Sequence, residues 1–262
     1  MRRLLERIGM PEEASERILA ANVEIPGSQI AGICWRLCGR ETYEQAYEEL
    51  SSRLIADRDG FQMLKIMLEA ASVSERLYAI AGIGEDIYTE TMKCFSRFVR
   101  EHQESFGRYG FDRGFWTGRQ LSLTLFRLGA LEYELTAEAG IVAVHIPSGA
   151  DLSEEALNQS FDLAKDFFRE HGTEVKAFAC TSWLLSPALK ELLRPDSGIL
   201  RFQSRFSVTK VFPEDESYKL WIYKNSKLSP EKFPQDTSLQ RAVKQYVLQG
   251  GKIGAACGFL QA

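Results

Sequence analysis

The spacing of hydrophobic positions changes character partway along the chain. Up to about residue 110, apolar side chains recur every three or four positions. One stripe is Ile30, Ile33, Cys34 and Leu37, and a second is Tyr43, Tyr47, Leu50 and Leu54. A third is Phe61, Leu64, Met67, Leu68 and Ala71, and a longer one is Ile87, Met92, Phe95, Phe98 and Val99. Each falls on one face of a helix of 3.6 residues per turn. Pro11 suits a first helical turn, with Glu12 and Glu13 beside it to complement the positive end of the helix dipole. Ser74 is placed to cap a short helix through Leu77, Tyr78 and Ala81, and Gly82-Ile83-Gly84 breaks the pattern before the longest stripe. No alternating stretch and no repeat interrupts this part. The pattern predicts an all-helical N-terminal domain over residues 1–110. The glycine- and aromatic-rich stretch Tyr109–Trp116 reads as the joint to a second domain, 111–262, with Arg119 to Leu125 as one more helix.

Beyond the joint the period shortens. Leu131, Tyr133 and Leu135 alternate with Glu132, Glu134 and Thr136, which predicts a half-buried strand. The turn Ala137–Gly140 pairs it antiparallel with the run Ile141–Ile146. That run and Phe178–Leu185 are continuously apolar, as strands buried on both faces of a parallel sheet are. Leu157, Phe161, Ala164 and Phe168 lie between them at helical spacing, so the segment is a right-handed βαβ unit. Short helices follow around Leu189–Leu193, ended by Pro195, and around Ile199–Phe202 behind Asp196 or Ser197 as cap. Val208–Phe212 and Tyr218–Tyr223 read as a strand pair. Leu239–Val247 reads as a last helix stopped by Gly250-Gly251, and Ile253–Leu260 as a glycine-rich strand. The fold class is α+β: a helical domain, then a mixed α/β sheet domain.

Composition narrows the function. A chain of 262 residues with 45% hydrophobic and 26% charged side chains is ordinary for a globular protein. The net charge of −4 argues against a nucleic-acid partner. Five cysteines, an odd number with no Cys-x-x-Cys pair, predict reduced thiols and a cytoplasmic setting rather than a disulfide framework. Arg2 and Arg3 precede no apolar stretch, so no signal peptide is read, and no run approaches the ~20 apolar residues of a membrane span.

Ligands of open α/β sheets bind at the carboxyl ends of the strands. His145 on one strand and Thr181–Trp183 on the other reach that edge. A histidine side chain can take and give a proton near neutrality, so His145 is a candidate general base; alone, it is equally a satisfied core or turn histidine. Glu132 and Glu134 share a strand face and offer a second candidate base, or a solvated surface. Cys180, Ser182 and Trp183 are candidates to line a substrate cleft, although a strand cysteine is more often a small core residue. Arg194, Arg201, Arg205 and Lys210 fall in one short span and suit phosphate oxygens. Cys34 and Cys38 lie one helical turn apart without a third ligand, and His102 and His171 sit among charged residues, so no metal site is read.

Four runs resemble a known group. Phe111-Asp112-Arg113-Gly114-Phe115-Trp116, Phe126-Arg127-Leu128-Gly129, Val144–Gly149 and Cys180–Pro187 are similar, in this order, to bacterial acyltransferase-domain proteins. These join a helical N-terminal domain to a C-terminal domain like the GCN5-related N-acetyltransferases (GNAT). The resemblance spans nearly the whole chain. It implies a mixed sheet splayed between Ile141–Ile146 and Phe178–Leu185, with acyl-CoA as co-substrate entering the splay. Strand N–H groups would polarise the thioester while a base, His145 or Glu132, assists an amine of a small molecule or peptide. Where such enzymes carry a glycine-rich pyrophosphate loop, this chain has Pro147–Glu155 with a single glycine. Asp151 and Glu154 have the spacing of a capping box that would occupy the first helical N–H groups. The phosphates are therefore assigned to Arg194, Arg201 and Arg205. The implied activity is acyl-CoA-dependent N-acyl transfer. The other reading is a non-catalytic module that binds a small polar ligand or a partner protein in the same crevice.

Overall fold

The computed structural model describes all 262 residues, which form two compact units, Met1–Leu128 and Gly129–Ala262. The first unit is α1 (Arg2–Arg7), α2 (Glu12–Ala20), α3 (Gly27–Leu37), α4 (Tyr43–Arg53), α5 (Phe61–Ile80), α6 (Glu85–Phe106), α7 (Gly114–Leu121) and a short strand β1 (Leu125–Leu128). Its centre is α5, where Leu64, Ile66, Met67, Leu68, Ala70 and Ala71 are fully buried. Ser74 does not begin a new helix. It lies buried inside α5, and its hydroxyl donates to the Leu121 carbonyl at 2.8 Å, so the polar group is satisfied without breaking the helix. Two buried tyrosines tie further carbonyls: Tyr78 Oη donates to Gln120 and Tyr88 Oη to Ala71. Gly60 starts α5 in the left-handed region, and a Cβ there would lie 1.8 Å from the Phe111 carbonyl oxygen, so only glycine fits. The stretch 109–116 lies within this unit, and the division falls after Leu128. The helix expected over 119–125 instead spans Gly114–Leu121 and gives way to β1, whose four residues are too few to show a period.

The second unit contains β2 (Leu131–Leu135), β3 (Ile141–His145), α8 (Glu154–Glu170), β4 (Ala177–Ser182), α9 (Leu189–Leu192), α10 (Gly198–Gln203), β5 (Ser207–Phe212), α11 (Ser217–Ile222), α12 (Ser238–Leu248) and β6 (Ala255–Gln261). Within this unit the strand order is β2-β3-β4-β6-β5. β2 and β3 are antiparallel, β3 and β4 parallel, and β6 runs antiparallel to both β4 and β5. The sheet is therefore mixed, with β3-α8-β4 as its one parallel crossover. Two expectations change. Tyr218–Tyr223 is not a strand: its first five residues lie in α11, and β5 pairs with β6 instead. Nor are β3 and β4 buried on both faces. Val142 and Val144 are buried, whereas Ile141, Ala143 and His145 are half-buried, so one face of the sheet is partly open.

The closed face is held by α8. Phe161 packs against Phe178 of β4 with tilted rings 4.9 Å apart between centres, and Tyr133 of β2 stands 5.6 Å from Phe178. Each such buried aromatic contributes roughly 1.5–3 kcal/mol through its removal from water. Fully buried Ser160 of α8 accepts the Leu131 N–H at 3.1 Å and meets Tyr133 Oη at 3.0 Å, which fixes helix to strand. A second core gathers beyond the ends of β3 and β4, where Trp183, Leu184, Leu189, Tyr218, Tyr223, Phe233 and Val243 pack together.

Candidate active site

The parallel pairing of β3 and β4 runs from Ile141–Ala177 to Ala143–Ala179 and stops. Both strands continue, β3 to His145 and β4 to Ser182, where β4 still pairs with Ala256 of β6. The sheet thus opens between β3 and β4 at their carboxyl ends, as the splay of a GNAT-like sheet requires.

Glu132 lies opposite His145 in the β2–β3 register, and Glu134 lies opposite Ala143. Directly paired residues share a face, so Glu132, Glu134 and His145 all project to the half-open side. His145 Nε2 is 2.7 Å from Glu134 Oε2, a diagonal cross-strand contact. A carboxylate at that distance fixes which ring nitrogen carries a proton and stabilises the imidazolium when a second proton arrives. Both side chains remain partly accessible. Glu132 is buried rather than part of a solvated strand face. Sequence reasoning named both glutamates on this strand face but carried only Glu132 forward as a base, whereas the contact with His145 is made by Glu134. The signal was available, because in a hairpin of this register the diagonal neighbour is within reach of a long side chain.

On β4 the residues divide. Cys180 is buried, and burial, with Cys257 as a lesser cause, pushes its thiol well above the usual range; it packs as a neutral core group. Thr181 is exposed. Ser182 ends the strand, and its Oγ accepts the Leu184 N–H at 3.1 Å to start a 3-10 turn over Trp183–Leu185. Trp183 is buried in the second core rather than on an open wall.

The basic residues separate as well. Arg201 Nη1 donates to the Leu152 carbonyl at 3.0 Å, and Arg205 Nη2 makes a long contact of 3.5 Å with the Glu154 carbonyl. Both arginines therefore stand at the start of α8, beside the loop that follows β3. Lys224, which sequence reasoning passed over, joins them: its Nζ donates to Ser148 Oγ at 2.8 Å, from a backbone with φ of 57°. Arg194 is strongly exposed and pairs with Asp196, and Lys210 stays on β5 with its ammonium over the Phe212 ring. The expected Asp151–Glu154 capping box is absent. Ser153 is the N-cap, accepting from Ala156 N–H at 3.3 Å, while Asp151 Oδ1 accepts from Ser153 N–H at 2.8 Å. Neither cap uses the N–H of Glu154 or Glu155. Two arginines thus stand at a helix start whose sequence alone looks acidic, and Lys224 holds the loop that leads to it. No cluster of three or more His, Cys, Asp or Glu side chains is arranged to hold a metal ion, and no helix is long and apolar enough to cross a membrane.

Comparison with known proteins places these features. Residues 125–260 match the family model described as a GNAT-like C-terminal domain, and residues 1–123 match that of an N-acyltransferase N-terminal domain. Among curated proteins no relative matches. Solved structures with the same fold include an acyltransferase in complex with decanoyl-CoA and teicoplanin. It is 24% identical, with 99% of this chain and 87% of that chain covered and a TM-score of 0.82. An acyltransferase in complex with CoA and 10C-teicoplanin, also 24% identical with the same coverage, aligns at 0.79. One in complex with decanoyl-CoA, again 24% identical, aligns at 0.77 over 99% of this chain and 86% of the other. With a helical first unit, a splayed mixed sheet and both domain models matched, the chain belongs to the acyltransferase family that joins an N-acyltransferase N-terminal domain to a GNAT-like C-terminal domain.

Proposed function

We propose that the protein transfers an acyl group from acyl-CoA to an amine in the crevice between β3 and β4, with His145 as general base. The observation that carries this reading is the 2.7 Å contact between His145 and Glu134 at the point where the two strands part. The amine nitrogen attacks the thioester carbonyl, and His145 accepts the proton it loses. The carbonyl oxygen, negative in the tetrahedral intermediate, meets strand peptide N–H groups turned toward the gap. Collapse re-forms the carbonyl, breaks the carbon–sulfur bond and releases CoA thiolate, which takes up a proton. Glu134 holds the imidazole in place and stabilises its charged form. Glu132, opposite His145 on the same face, is the alternative base. Ser182 retains its O–H as a donor toward substrate after accepting from Leu184, Trp183 backs the crevice, and Cys180 lies beneath it. Arg201 and Arg205, with Lys224, offset the charge of Asp151, Glu154 and Glu155 at the start of α8, where the donor's phosphates are expected. Arg194, turned out to solvent, contributes least.

The acceptor is a small-molecule or peptide amine. The related structures hold CoA compounds and, in two cases, teicoplanin or its 10C form, which fits an acceptor of that kind. None of the five cysteines is in a disulfide, the state a reducing cytoplasm maintains, and we place the reaction there.

The test pairs binding with turnover. CoA at about 100 times its dissociation constant raises stability by roughly 2.7 kcal/mol, visible as a higher melting temperature. His145→Ala is expected to slow transfer to an amine by about 10²–10⁴ while leaving that shift in place. Glu134→Gln should slow it less. Glu132→Gln should leave the rate within a few-fold of wild type; a collapse there, with His145→Ala active, would move the base to Glu132. Absence of any shift at millimolar CoA would favour the non-catalytic module instead.

A further inference from the structure

The half-open face of the sheet continues past the gap between β3 and β4. Directly opposed residues share a face, and the register carries one row across it. Glu132 opposes His145 between β2 and β3, Thr181 opposes Cys257 between β4 and β6, and Cys257 opposes Lys210 between β6 and β5. Ala143 pairs with Ala179 where β3 and β4 still meet. His145 and Thr181, two residues further along each parallel strand, therefore stand at one level on either side of the gap. Thr181 and Lys210 are exposed, and Cys257 is half-buried.

Lys210 owes its place to an irregularity in β5. Val208 opposes Gly258, but Lys210 rather than Thr209 opposes Cys257, so the strand carries one extra residue here. With regular pairing Thr209 would take that position and Lys210 would fall on the other face. Bulges of this kind re-aim a side chain and collect beside active sites. No carboxylate of the chain pairs with the re-aimed cation. The acids of the following turn are engaged elsewhere: Glu214 with Lys252, Glu216 with Lys219, and Asp215 with the Ser217 N–H. The Lys210 ammonium lies 4.9 Å from the centre of the Phe212 ring, a contact that leaves its N–H donors open to an anion.

The two ends of the row differ in charge. Glu132 and Glu134 gather negative charge around His145, which suits an incoming ammonium, and Lys210 supplies positive charge at the far end. The donor's phosphates are expected at the start of α8, the helix that covers the opposite face, so this face is left to the acceptor. We infer that Lys210 is a specificity-determining residue for the acceptor and takes a carboxylate of the molecule whose amine is acylated beside His145. Three strand spacings separate β3 from β5 in the sheet order, about 14 Å. The acceptor is therefore of peptide size, since about four residues of extended chain span that distance. A free amino acid, with amine and carboxylate on one carbon, cannot reach both ends. The inference rests on amine acylation at His145, as proposed above.

Tetraglycine and its C-terminal amide, offered to the full chain with short- and long-chain acyl-CoA donors, test it. Wild type is expected to prefer tetraglycine about tenfold in kcat/KM, through KM rather than kcat, because the carboxylate does not react. Lys210→Gln should treat the two acceptors alike, and Lys210→Glu should prefer the amide. Lys190→Gln, which removes an equal charge from α9, should keep the preference. Equal use of the two acceptors by wild type, a preference that survives Lys210→Gln, or one that vanishes equally in Lys190→Gln overturns the assignment. So does transfer to butylamine with none to tetraglycine, which would leave the transferase reading standing. Calorimetry separates the two readings in the other direction. If no amine is acylated, yet tetraglycine binds more tightly than its amide and about tenfold more weakly to Lys210→Gln, the transferase reading fails and the Lys210 assignment stands. Tetraglycine that neither binds nor is acylated overturns the assignment.

Discussion

At the scale of single residues, burial decides which groups are chemically available. Cys34, Cys38, Cys94 and Cys180 are buried, and Cys257 is half-buried. Burial pushes the Cys34 and Cys38 thiols up to about 12, and both donate to carbonyls of α5. Thiolate, not thiol, is the reactive form. A native protein treated with an aromatic disulfide reagent at pH 8 should therefore release one equivalent quickly, from Cys257, and the other four only on unfolding. Loss of the fast phase in Cys257→Ser confirms the assignment; a second fast thiol contradicts it. The same scale shows the reach of sequence reasoning. His145 was legible because a histidine at the end of an apolar strand is unusual chemistry in an expected place. Glu134 was not singled out, because the two glutamates look alike until the β2–β3 register assigns one to the diagonal. Arg201 and Arg205 were legible as cations. That they serve the start of α8, 49 and 51 residues from the carbonyls they meet, depends on packing that no local pattern encodes.

At the scale of elements, α8 and β2 are joined through one hydroxyl. Ser160 Oγ accepts the Leu131 N–H and contacts Tyr133 Oη, and all three residues are fully buried. Ser160→Ala removes the acceptor of the buried Leu131 N–H and should cost about 1–3 kcal/mol. Urea unfolding should show a lower midpoint with an unchanged slope; a loss below about 0.5 kcal/mol would mean the hydroxyl is replaceable. The α8 cap is worth less. Ser153→Ala should cost about 1 kcal/mol, since one N–H loses its acceptor at a solvated helix end. The long helices α6 and α8 were legible because several turns repeat the same face, whereas α5 was read as two helices because Ser74 looks like a cap. Short elements were not: β1 has four residues, and α11 has six, rich in aromatics that suit a strand equally well. α11 is a helix because its Tyr218 and Ile222, four apart, meet Phe233 and Val243 in a core formed by later segments. Local propensity carries no information about partners that far along the chain.

At the scale of the whole molecule, both units are built around protonated groups kept from water. Cys38, Tyr78 and Tyr88 in the first unit and Cys180, Tyr218 and Tyr223 in the second are all shifted upward, with burial as the leading cause in each. A group whose proton is held more tightly in the folded state gives stability that is complete below its unfolded pKa and declines as pH rises toward its folded one. For a thiol the decline begins near pH ~8.5 and proceeds at about 1.4 kcal/mol per pH unit for each buried cysteine. Urea midpoints should be level from pH 7 to about 8.5 and then fall, with tyrosinate absorbance appearing only as the chain unfolds; midpoints that stay level to pH 10.5 would refute this. The sheet order has a consequence for synthesis. The strand made last, β6, lies inside the sheet, between β4 and β5. Domains fold in the order they leave the ribosome. The helical unit can close early, but β5 and the far edge of β4 have no neighbour until residues 255–261 emerge. During that interval the nascent second unit displays unpaired strand edges, so translation stalled before Ala255 should yield a chain that chaperones retain rather than a slightly shortened enzyme.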